Sequence, residues 1–327
     1  MQNFIDNIYI RNFKSISTCE ISNCRRINLF IGRPNVGKSN IIEALSTFTI
    51  PYLRENSSKK LSNLIRIENE TELFHNGNWE SGSEISTNLF RCNIEFNPKE
   101  ALRFFLDANG ENYAAKVGDK MNVSALSTQS DFQTNIKKYN YKHDVIYKRG
   151  HSRYLLPPFG SNLLSIIENY EELKNDVLRL FADYKLEVAF DKSSQTIKII
   201  QKNEDGIFLI PYNSIADTLQ RIIFYKAAII SNDNTVLLFE EPEAHSFPPY
   251  MSHLTQQMIH KSDNQFFVAT HSPFILNDLL EHAMDELAVF NVDYQDKQTQ
   301  IRELSRSELH DIMQYGVDVF TNNEMFQ

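Results

Sequence analysis

Gly32-Arg-Pro-Asn-Val-Gly-Lys-Ser39 (GRPNVGKS) is the stretch of this sequence that decides the fold. It fits the pattern GxxxxGK[ST] at every fixed position, and an apolar, β-prone run, Ile27–Ile31 (INLFI), comes directly before it. The residues that follow, Ser39–Phe48, have apolar side chains at helical spacing. A glycine-rich loop between a buried strand and a helix N-terminus directs successive backbone N–H groups at phosphate oxygens. The sequence therefore predicts a strand, a phosphate-binding loop and a helix here.

The side chains of this loop match the needs of a bound triphosphate and its metal ion. The Lys38 ammonium reaches the β and γ phosphates, where it also serves catalysis, and the Ser39 hydroxyl ligates Mg²⁺. The alternative is a glycine-rich turn that carries a surface lysine. We expect the nucleotide to be bound by Gly32, Asn35, Val36, Gly37, Lys38, Ser39 and Asn40.

Two adjacent carboxylates follow a second buried run, Thr235–Phe239. Placing Glu240 and Glu241 together at the end of a buried strand is costly unless something positive compensates them. A Mg²⁺ ion on one and an attacking water on the other supply that compensation. We therefore expect Glu240 to hold the metal and Glu241 to act as the general base. The alternative is an acidic loop that closes a strand.

A histidine ends the third buried run. Gln265–Ala269 leads into Thr270-His271-Ser272-Pro273, and a histidine at this strand end could donate to the γ-phosphate and report its presence. His271 is thus a third catalytic candidate, with a purely structural histidine as the alternative. Buried strands that alternate with helices and carry polar motifs at their ends predict an α/β sheet with the ligand at its carboxyl edge.

The chain is predicted to form one domain, 1–327, in three parts. Residues 1–97 carry the phosphate-binding loop, 98–210 form an insertion with a basic loop, a helix and a hairpin, and 211–327 carry the two later motifs. Within the insertion we expect irregular structure from Pro98 to Pro158 and one amphipathic helix, Ser161–Tyr184, capped by Ser161. The other predicted elements are a strand at Leu89–Phe96, a hairpin of Leu186–Phe190 and Thr196–Ile200, and a helix from Ala216 to Ile230.

The composition predicts a cytoplasmic protein without membrane contact. No apolar run approaches the roughly 20 residues of a membrane helix, and the N-terminus lacks the pattern of a secretory signal. Cys19, Cys24 and Cys92 are too few and too odd in number for a disulfide framework, which favours a reduced environment.

One basic stretch stands out in this acidic chain, whose formal net charge of −9 argues against a generally basic nucleic-acid binder. The stretch Lys137–Tyr154 contains six basic residues and four tyrosines against one acid, Asp144. Basic side chains bind phosphates and tyrosines stack on bases, so contact with nucleic acid or an acidic partner is one hypothesis. A solvated loop is the other.

Taken in order, the motifs IxNFKS, GxxxxGKSN, LLFEEPEAH and ATHSP resemble the ABC-type ATPase heads of the SMC, RecF and OLD-nuclease branch. The resemblance covers the start and the last third of the chain well, and the middle poorly. It implies an α/β P-loop NTPase with an ABC-ATPase-like mixed sheet, flanking helices and an inserted α+β region. It also implies that ATP and Mg²⁺ are bound and ATP is hydrolysed.

The resemblance further implies a head-to-tail dimer that closes around two ATP molecules. In such a dimer a signature loop contacts the partner subunit's nucleotide, and Ser214 matches the signature serine, acting in trans. Ala216 stands where many relatives have glycine, and the alternative is that Ser214 caps the following helix. The segment Glu243–Ser246 would face across the dimer interface.

The leading functional hypothesis is an ATPase that regulates a partner effector, expected to be a nuclease, similar to ATPase components of bacterial phage-defence systems. About 54 residues follow Pro273 (327 − 273), too few for a Toprim-type nuclease domain. The alternative is a RecF- or SMC-like ATPase of DNA repair or chromosome maintenance, which long coiled-coil arms would favour. A transporter subunit is disfavoured because no LSGGQ-like loop is present, and a nucleotide-gated protein with little turnover is disfavoured by Glu241.

Overall fold

Strands and helices are interspersed along the chain in the computed structural model, which describes residues 3–108, 110–126, 132–151, 153–204, 206–246, 248–316 and 319–320. The ends of the predicted domain, residues 1–2 and 321–327, lie outside the described residues. The strands are β1 Ile8–Phe13, β2 Ile16–Ile21, β3 Ile27–Ile31, β4 Ser83–Thr87, β5 Phe90–Asn97, β6 Ala101–Ala108, β7 Glu111–Val117, β8 Val123–Ala125, β9 Ile136–Tyr139, β10 Glu187–Asp191, β11 Thr196–Asn203, β12 Gly206–Pro211, β13 Val236–Glu240, β14 Gln265–Ala269, β15 Leu287–Gln295 and β16 Gln298–Glu303.

The α-helices are α1 Lys38–Leu45, α2 Leu163–Asn169, α3 Glu171–Ala182, α4 Asp217–Ile230, α5 Pro248–His260, α6 Pro273–Ala283 and α7 Arg306–Tyr315. Segments of 3₁₀ helix are Ser46–Glu55, Leu61–Asn63, Glu70–Leu73, His75–Gly77, Trp79–Ser81, Asp119–Met121, Tyr212–Ser214 and Met284–Glu286. Among the helices of these described ranges, none has the length and apolar character needed to cross a bilayer.

A six-stranded sheet carries the three motif-bearing strands, in the order β16-β15-β3-β14-β13-β9. Its neighbouring strands run parallel, except that β15 and β16 are antiparallel. Every residue of β3 and β14 is buried, as expected for central strands that are covered on both faces. Because β3, β14 and β13 are parallel, the residues after Ile31, Ala269 and Phe239 meet at one edge of the sheet.

A second sheet of seven antiparallel strands, β2-β1-β4-β5-β6-β7-β8, packs over one face of the first. The two sheets share one apolar core, to which α1 contributes Ile41 and Ile42. The opposite face of the parallel sheet is covered by α4, α5 and α6, with a core of their own. The helix that follows the phosphate-binding loop, α1, therefore lies between the two sheets, and packing on both sides fixes its position.

The stretch predicted to be irregular, Pro98–Pro158, is only partly so: its described residues form strands between 101 and 139, and have neither helix nor strand from 140 to 158. It contains β6, β7 and β8 of the antiparallel sheet, and β9, which pairs with β13 in the parallel sheet. In β6, Leu102, Phe104 and Leu106 are buried at every second position, the alternation of a half-buried strand. Strand β9 was missed because Lys137 and Lys138 break its apolar pattern.

The predicted helix Ser161–Tyr184 is two helices. Tyr170 between α2 and α3 has an extended backbone, with φ −105° and ψ 101°. The residue at the N-terminal boundary of α2 is Asn162, so the predicted cap at Ser161 is wrong. The predicted hairpin is confirmed as β10 and β11, and β12 adds a third antiparallel strand to it. The division of the domain into three parts stays a prediction.

Substituting Gly32 with alanine is expected to destabilise the fold by about 2–4 kcal/mol. A Cβ atom there would lie 2.2 Å from the backbone oxygen of Val292 in β15, and the backbone φ is +143°. Urea unfolding would measure the loss. Gly77→Ala is the matched control, because Gly77 also has a positive φ, +71°, but no atom within 4 Å of the added Cβ. Equal losses in both variants would show that the clash with Val292 in β15 does not contribute to the loss of stability.

Candidate functional site

The phosphate-binding loop holds its shape through Lys38, the first residue of α1. The Lys38 ammonium donates to the backbone oxygens of Gly32, at 2.9 Å, and Arg33, at 2.7 Å. Burial lowers the pKa of Lys38 to about 8, although Glu241 and Glu243 oppose the shift. Gly37 forms the boundary of α1 with φ 108°, a conformation that glycine adopts without strain. The predicted strand, loop and helix are therefore confirmed.

Residues from three other elements support this loop from behind. The Asn40 side-chain amide donates to the Ser15 hydroxyl at 2.6 Å, and Ser15 lies 2.6 Å from the Thr299 hydroxyl. Thr299, in β16, also donates to the Val36 backbone oxygen at 2.9 Å. Ser15 belongs to the IxNFKS motif, whereas sequence reasoning missed Thr299, because only the antiparallel pairing of β15 and β16 brings it here. Nucleotide contact by Asn40, Asn35 and Val36 stays a prediction.

Glu240 lies at the end of β13 and is surrounded by cationic and hydroxyl donors. The Lys138 ammonium lies 3.2 Å from one carboxylate oxygen, and the Arg66 guanidinium donates to the other at 2.5 Å. The Ser39 hydroxyl bonds the same carboxylate. Burial opposes ionisation of Glu240, but Lys138 and Arg66 outweigh it and hold its pKa below the ordinary value. The carboxylate is therefore ionised at neutral pH.

A second buried carboxylate fixes Arg66 in this position. The side chain of Glu43, in α1, has no exposed surface and accepts from both the backbone N–H and the Nε of Arg66, at 3.2 and 2.8 Å. Lys14, in the IxNFKS motif, donates to the Glu43 carboxylate and to the Arg66 backbone oxygen. Charges of alternating sign, Lys14, Glu43, Arg66, Glu240 and Lys138, thus run from the antiparallel sheet to the end of β13.

Glu241 and His271 face each other at the neighbouring strand ends. His271 Nε2 lies 3.6 Å from a carboxylate oxygen of Glu241, whose side chain is half exposed and whose backbone φ is 43°. Burial and the Lys38 ammonium hold the pKa of His271 below its ordinary value, so the imidazole is neutral at pH 7. This geometry leaves one side of the Glu241 carboxylate open to water. The catalytic roles of both residues stay predictions.

Glu243 positions the segment that carries His271. One of its carboxylate oxygens accepts from the Thr270 hydroxyl at 2.7 Å and from the His271 backbone N–H at 2.8 Å. Burial raises the pKa of Glu243. The Glu243 side chain thus bonds the segment that follows β14 in its own chain, and the placement of Glu243–Ser246 at a dimer interface stays a prediction.

The donors at this edge suit a magnesium ion that arrives with a nucleotide. Ser39 and Glu240 offer hard oxygen atoms, the type that Mg²⁺ prefers, and Mg²⁺ commonly takes one or two protein oxygens and completes its shell with phosphates and water. No cluster of three or more His, Cys, Asp or Glu side chains that could hold a metal is found in the described part of the chain. The two predicted metal ligands therefore fit a metal shared with a ligand better than a metal held by protein alone.

A cleft of about 210 Å³ opens beside Glu240 and Glu241. Arg66, Lys138 and Asn140 line it. Sequence reasoning assigned none of these three to the site. The available signal was a pair of lysines inside the β-prone run that became β9, but the pair was read as part of a basic surface.

The basic stretch Lys137–Tyr154 is not one surface. Lys137, Lys138, Tyr139 and Tyr154 are buried. The Lys137 ammonium donates to Asn232 at 2.6 Å and lies 3.6 Å from the centre of the Tyr154 ring. These four side chains cannot serve a nucleic-acid interface without unfolding, so their predicted part in it is wrong. The exposed basic residues that remain are Lys142, Lys148, Arg149 and Arg153.

Ser214 lies in an exposed turn in front of α4. The residue at the N-terminal boundary of α4 is Ala216, and no side chain caps this helix end, so the alternative in which Ser214 is the cap is wrong. Asp217, the first helical residue, pairs with Arg221 at 2.7 Å. A role of Ser214 toward a partner's nucleotide stays a prediction.

Comparison with known proteins bears on the fold and the family. Residues 27–277 match the family described as "AAA domain, putative AbiEii toxin, Type IV TA system". A solved SMC head bound to the C-winged helix domain of ScpA has a TM-score of 0.51 at 13% sequence identity, covering 94% of this chain and all of that one. No curated protein matches the sequence significantly.

A second solved structure, the Smc head domain with an extended coiled coil bound to the C-terminal domain of ScpA from Pyrococcus furiosus, has a TM-score of 0.52 at 12% identity. It covers 95% of this chain and 99% of that one. At such low identity the likeness shows the fold alone. The predicted fold class, an α/β P-loop NTPase with an ABC-ATPase-like mixed sheet, is confirmed.

Substituting Glu43 with glutamine is expected to lower the free energy of unfolding by about 3–5 kcal/mol, because buried Lys14 and the Arg66 guanidinium lose their shared counter-charge. Denaturant unfolding of the purified variant would measure this loss. Glu84→Gln is the matched control: Glu84 lies 3.8 Å from Arg11 and 3.7 Å from Arg91 at the surface, and its loss should cost under about 1 kcal/mol. Similar small losses in both variants would contradict a structural role for the Glu43 network.

Proposed function

This chain belongs to the AAA-domain family whose description includes a putative AbiEii toxin of a type IV toxin–antitoxin system, and we propose that it is an Mg·ATP-hydrolysing ABC-type ATPase head that dimerises on ATP and regulates a partner effector in anti-phage defence. One observation carries the catalytic part of this proposal. Lys38, the Glu240–Glu241 pair and His271 come from three separate segments and meet at one edge of the parallel sheet.

Each of these side chains has a task that its geometry supports. The loop amides and the Lys38 ammonium bind the phosphate oxygens of ATP. Glu241 accepts a proton from the water that attacks the γ-phosphorus, while the bond to the β-phosphate oxygen breaks and ADP leaves. Neutral His271 donates to a γ-phosphate oxygen and so distinguishes ATP from ADP. Ser39 and Glu240 would hold a magnesium ion together with the nucleotide, and the ion would neutralise phosphate charge.

The dimer is proposed to complete each site with Ser214 of the other subunit. Ser214 and Ala216 are both exposed at the start of α4, where a second head can reach them. The Ser214 hydroxyl and the uncapped end of α4 offer donors to a γ-phosphate. ATP then favours the closed dimer because both subunits contact the γ-phosphate, and hydrolysis removes that contact.

The family description bears on the partner and the setting of this ATPase. The family description, with its putative toxin, favours a regulatory or defence role over a housekeeping one. We propose a nuclease as the regulated effector and a cytoplasmic location, in keeping with three free thiols among the described residues. The alternative is an ATPase of DNA repair or chromosome maintenance, and the SMC-like fold favours it. In that case nucleic acid would have to contact the basic residues of the 137–154 stretch that are exposed, which are Lys142, Lys148, Arg149 and Arg153.

Replacing Glu241 with glutamine is expected to keep ATP binding, lower turnover at least about 100-fold and trap a dimer, because the proton acceptor is lost while the phosphate contacts remain. Size-exclusion chromatography with light scattering in saturating Mg·ATP gives the mass. Lys38→Ala is the control and should bind no ATP and stay undimerised. A monomeric Glu241→Gln protein with ATP bound contradicts the sandwich dimer.

Mixing two inactive variants tests the placement of Ser214 in trans. Lys38→Ala and Ser214→Arg are each expected to be inactive alone. Mixed dimers contain one site with both an intact phosphate-binding loop and an intact Ser214, so the mixture should recover roughly a quarter of the wild-type rate if subunits exchange at random. A mixture as inactive as its components, with exchange demonstrated by differential tagging, would mean that Ser214 does not act across a dimer.

A further inference from the structure

Lys137 and Lys138 are neighbours in β9 whose buried ammonium groups point to opposite sides of the sheet. Lys137 donates to Asn232 and lies over the Tyr154 ring, away from the phosphate-binding loop. Lys138 lies 3.2 Å from Glu240 and donates to the Leu64 backbone oxygen at 2.8 Å. A buried ammonium is costly unless its environment compensates it, so the position of Lys138 calls for a specific counter-charge.

Glu240 is that counter-charge, and its two cationic partners differ in exposure. The Lys138 side chain is 2% exposed and held by two acceptors, so it has no other place to go. The Arg66 side chain is 65% exposed, and its guanidinium reaches Glu240 from the solvent side. Glu43 holds the Nε of Arg66, so an entering ligand can compete only for the exposed Nη2 contact with Glu240, whereas Lys138 stays beside Glu240.

This arrangement lowers the electrostatic repulsion that Glu240 exerts on a triphosphate entering the site. A buried carboxylate beside the phosphates repels them strongly, and a bound metal ion is one way to cancel that charge. Here Lys138 already cancels the charge of Glu240 from inside the protein. With Glu240 neutralised, Lys38 and the loop amides are left to attract the phosphates.

We propose that Lys138 is a fixed counter-cation of Glu240 that lets the site bind ATP without Mg²⁺, so that the metal is needed for hydrolysis and not for binding. This inference rests on the proposed ATPase function and deepens it. It also assigns Lys138 a positioning role, because its ammonium reaches the metal and nucleotide only through the Glu240 carboxylate. In the absence of nucleotide, the same positive charge disfavours a divalent cation at Glu240.

The test compares Lys138→Met with Lys137→Met, which removes a buried lysine one residue away on the other side of the sheet. Binding of a fluorescent ATP analogue is titrated in EDTA and in excess Mg²⁺, after thermal melting has shown that each variant is folded. For wild type and for Lys137→Met, the dissociation constant of the analogue should differ by less than about threefold between the two buffers. Lys138→Met should lose about tenfold in affinity for the analogue in EDTA and much less in Mg²⁺, since Glu240 without its buried cation repels the phosphates more strongly.

Two further measurements make the test independent of turnover. Mn²⁺ titrated alone and followed by electron paramagnetic resonance should bind Lys138→Met about tenfold more tightly than wild type. The double variant Lys138→Met/Glu240→Gln removes one charge of each sign, so it should fold and bind the analogue in EDTA within about threefold of wild type.

The outcomes separate this inference from the proposed function. A wild-type protein that binds the analogue in Mg²⁺ but not in EDTA overturns the inference, and so does a folded Lys138→Met protein that binds in EDTA as wild type does. If Lys138→Met does not fold, the inference is still tested by comparing wild-type binding in EDTA and in Mg²⁺ and by the binding of the double variant in EDTA. A wild-type protein that binds no nucleotide in either buffer overturns the proposed function instead.

Discussion

The parallel pairing of β3, β14 and β13 is the constraint on which the rest of the molecule depends. Parallel neighbours end at the same edge, so Gly32, Glu240 and Thr270 come together although more than 200 positions separate the first from the others. Two faces of apolar packing keep the three strands in register, and a slip by one residue would bury the polar ends or expose the core. The site is therefore as rigid as the sheet that carries it.

The electrostatics of this edge follow from its burial. Two carboxylates, Glu43 and Glu240, lie where water reaches them poorly, and cations are held beside each of them. Arg66 contacts both carboxylates, and so joins α1 to the end of β13. The loop that carries Arg66 has no motif that marks it in the sequence. Its importance comes from two backbone oxygens, of Leu64 and Arg66, that accept from Lys138 and Lys14.

The middle of the chain shows where sequence reasoning failed. The stretch after Pro98 was expected to be irregular, yet β6 to β8 alternate buried and exposed residues on a solvated sheet. Strand β9 was hidden by its two lysines, because a charged residue inside a strand normally marks a surface. Tyr170 divided one predicted helix into two, since the apolar spacing of α2 and α3 gave no sign of the extended residue between them.

The sequence by itself determined the strand–loop–helix around Lys38, the strands before Glu240 and Thr270, and the identity of the residues most suited to phosphate, metal and water. These features are local: the glycines, the apolar runs and the polar strand ends each act within about ten residues. Only the tertiary structure decided that Lys138 and Arg66 flank Glu240, that Thr299 supports the phosphate-binding loop and that Glu243 turns inward to His271. Those contacts depend on strand order and register between distant segments, and the charge of a side chain does not reveal whether its partner is water or a buried carboxylate.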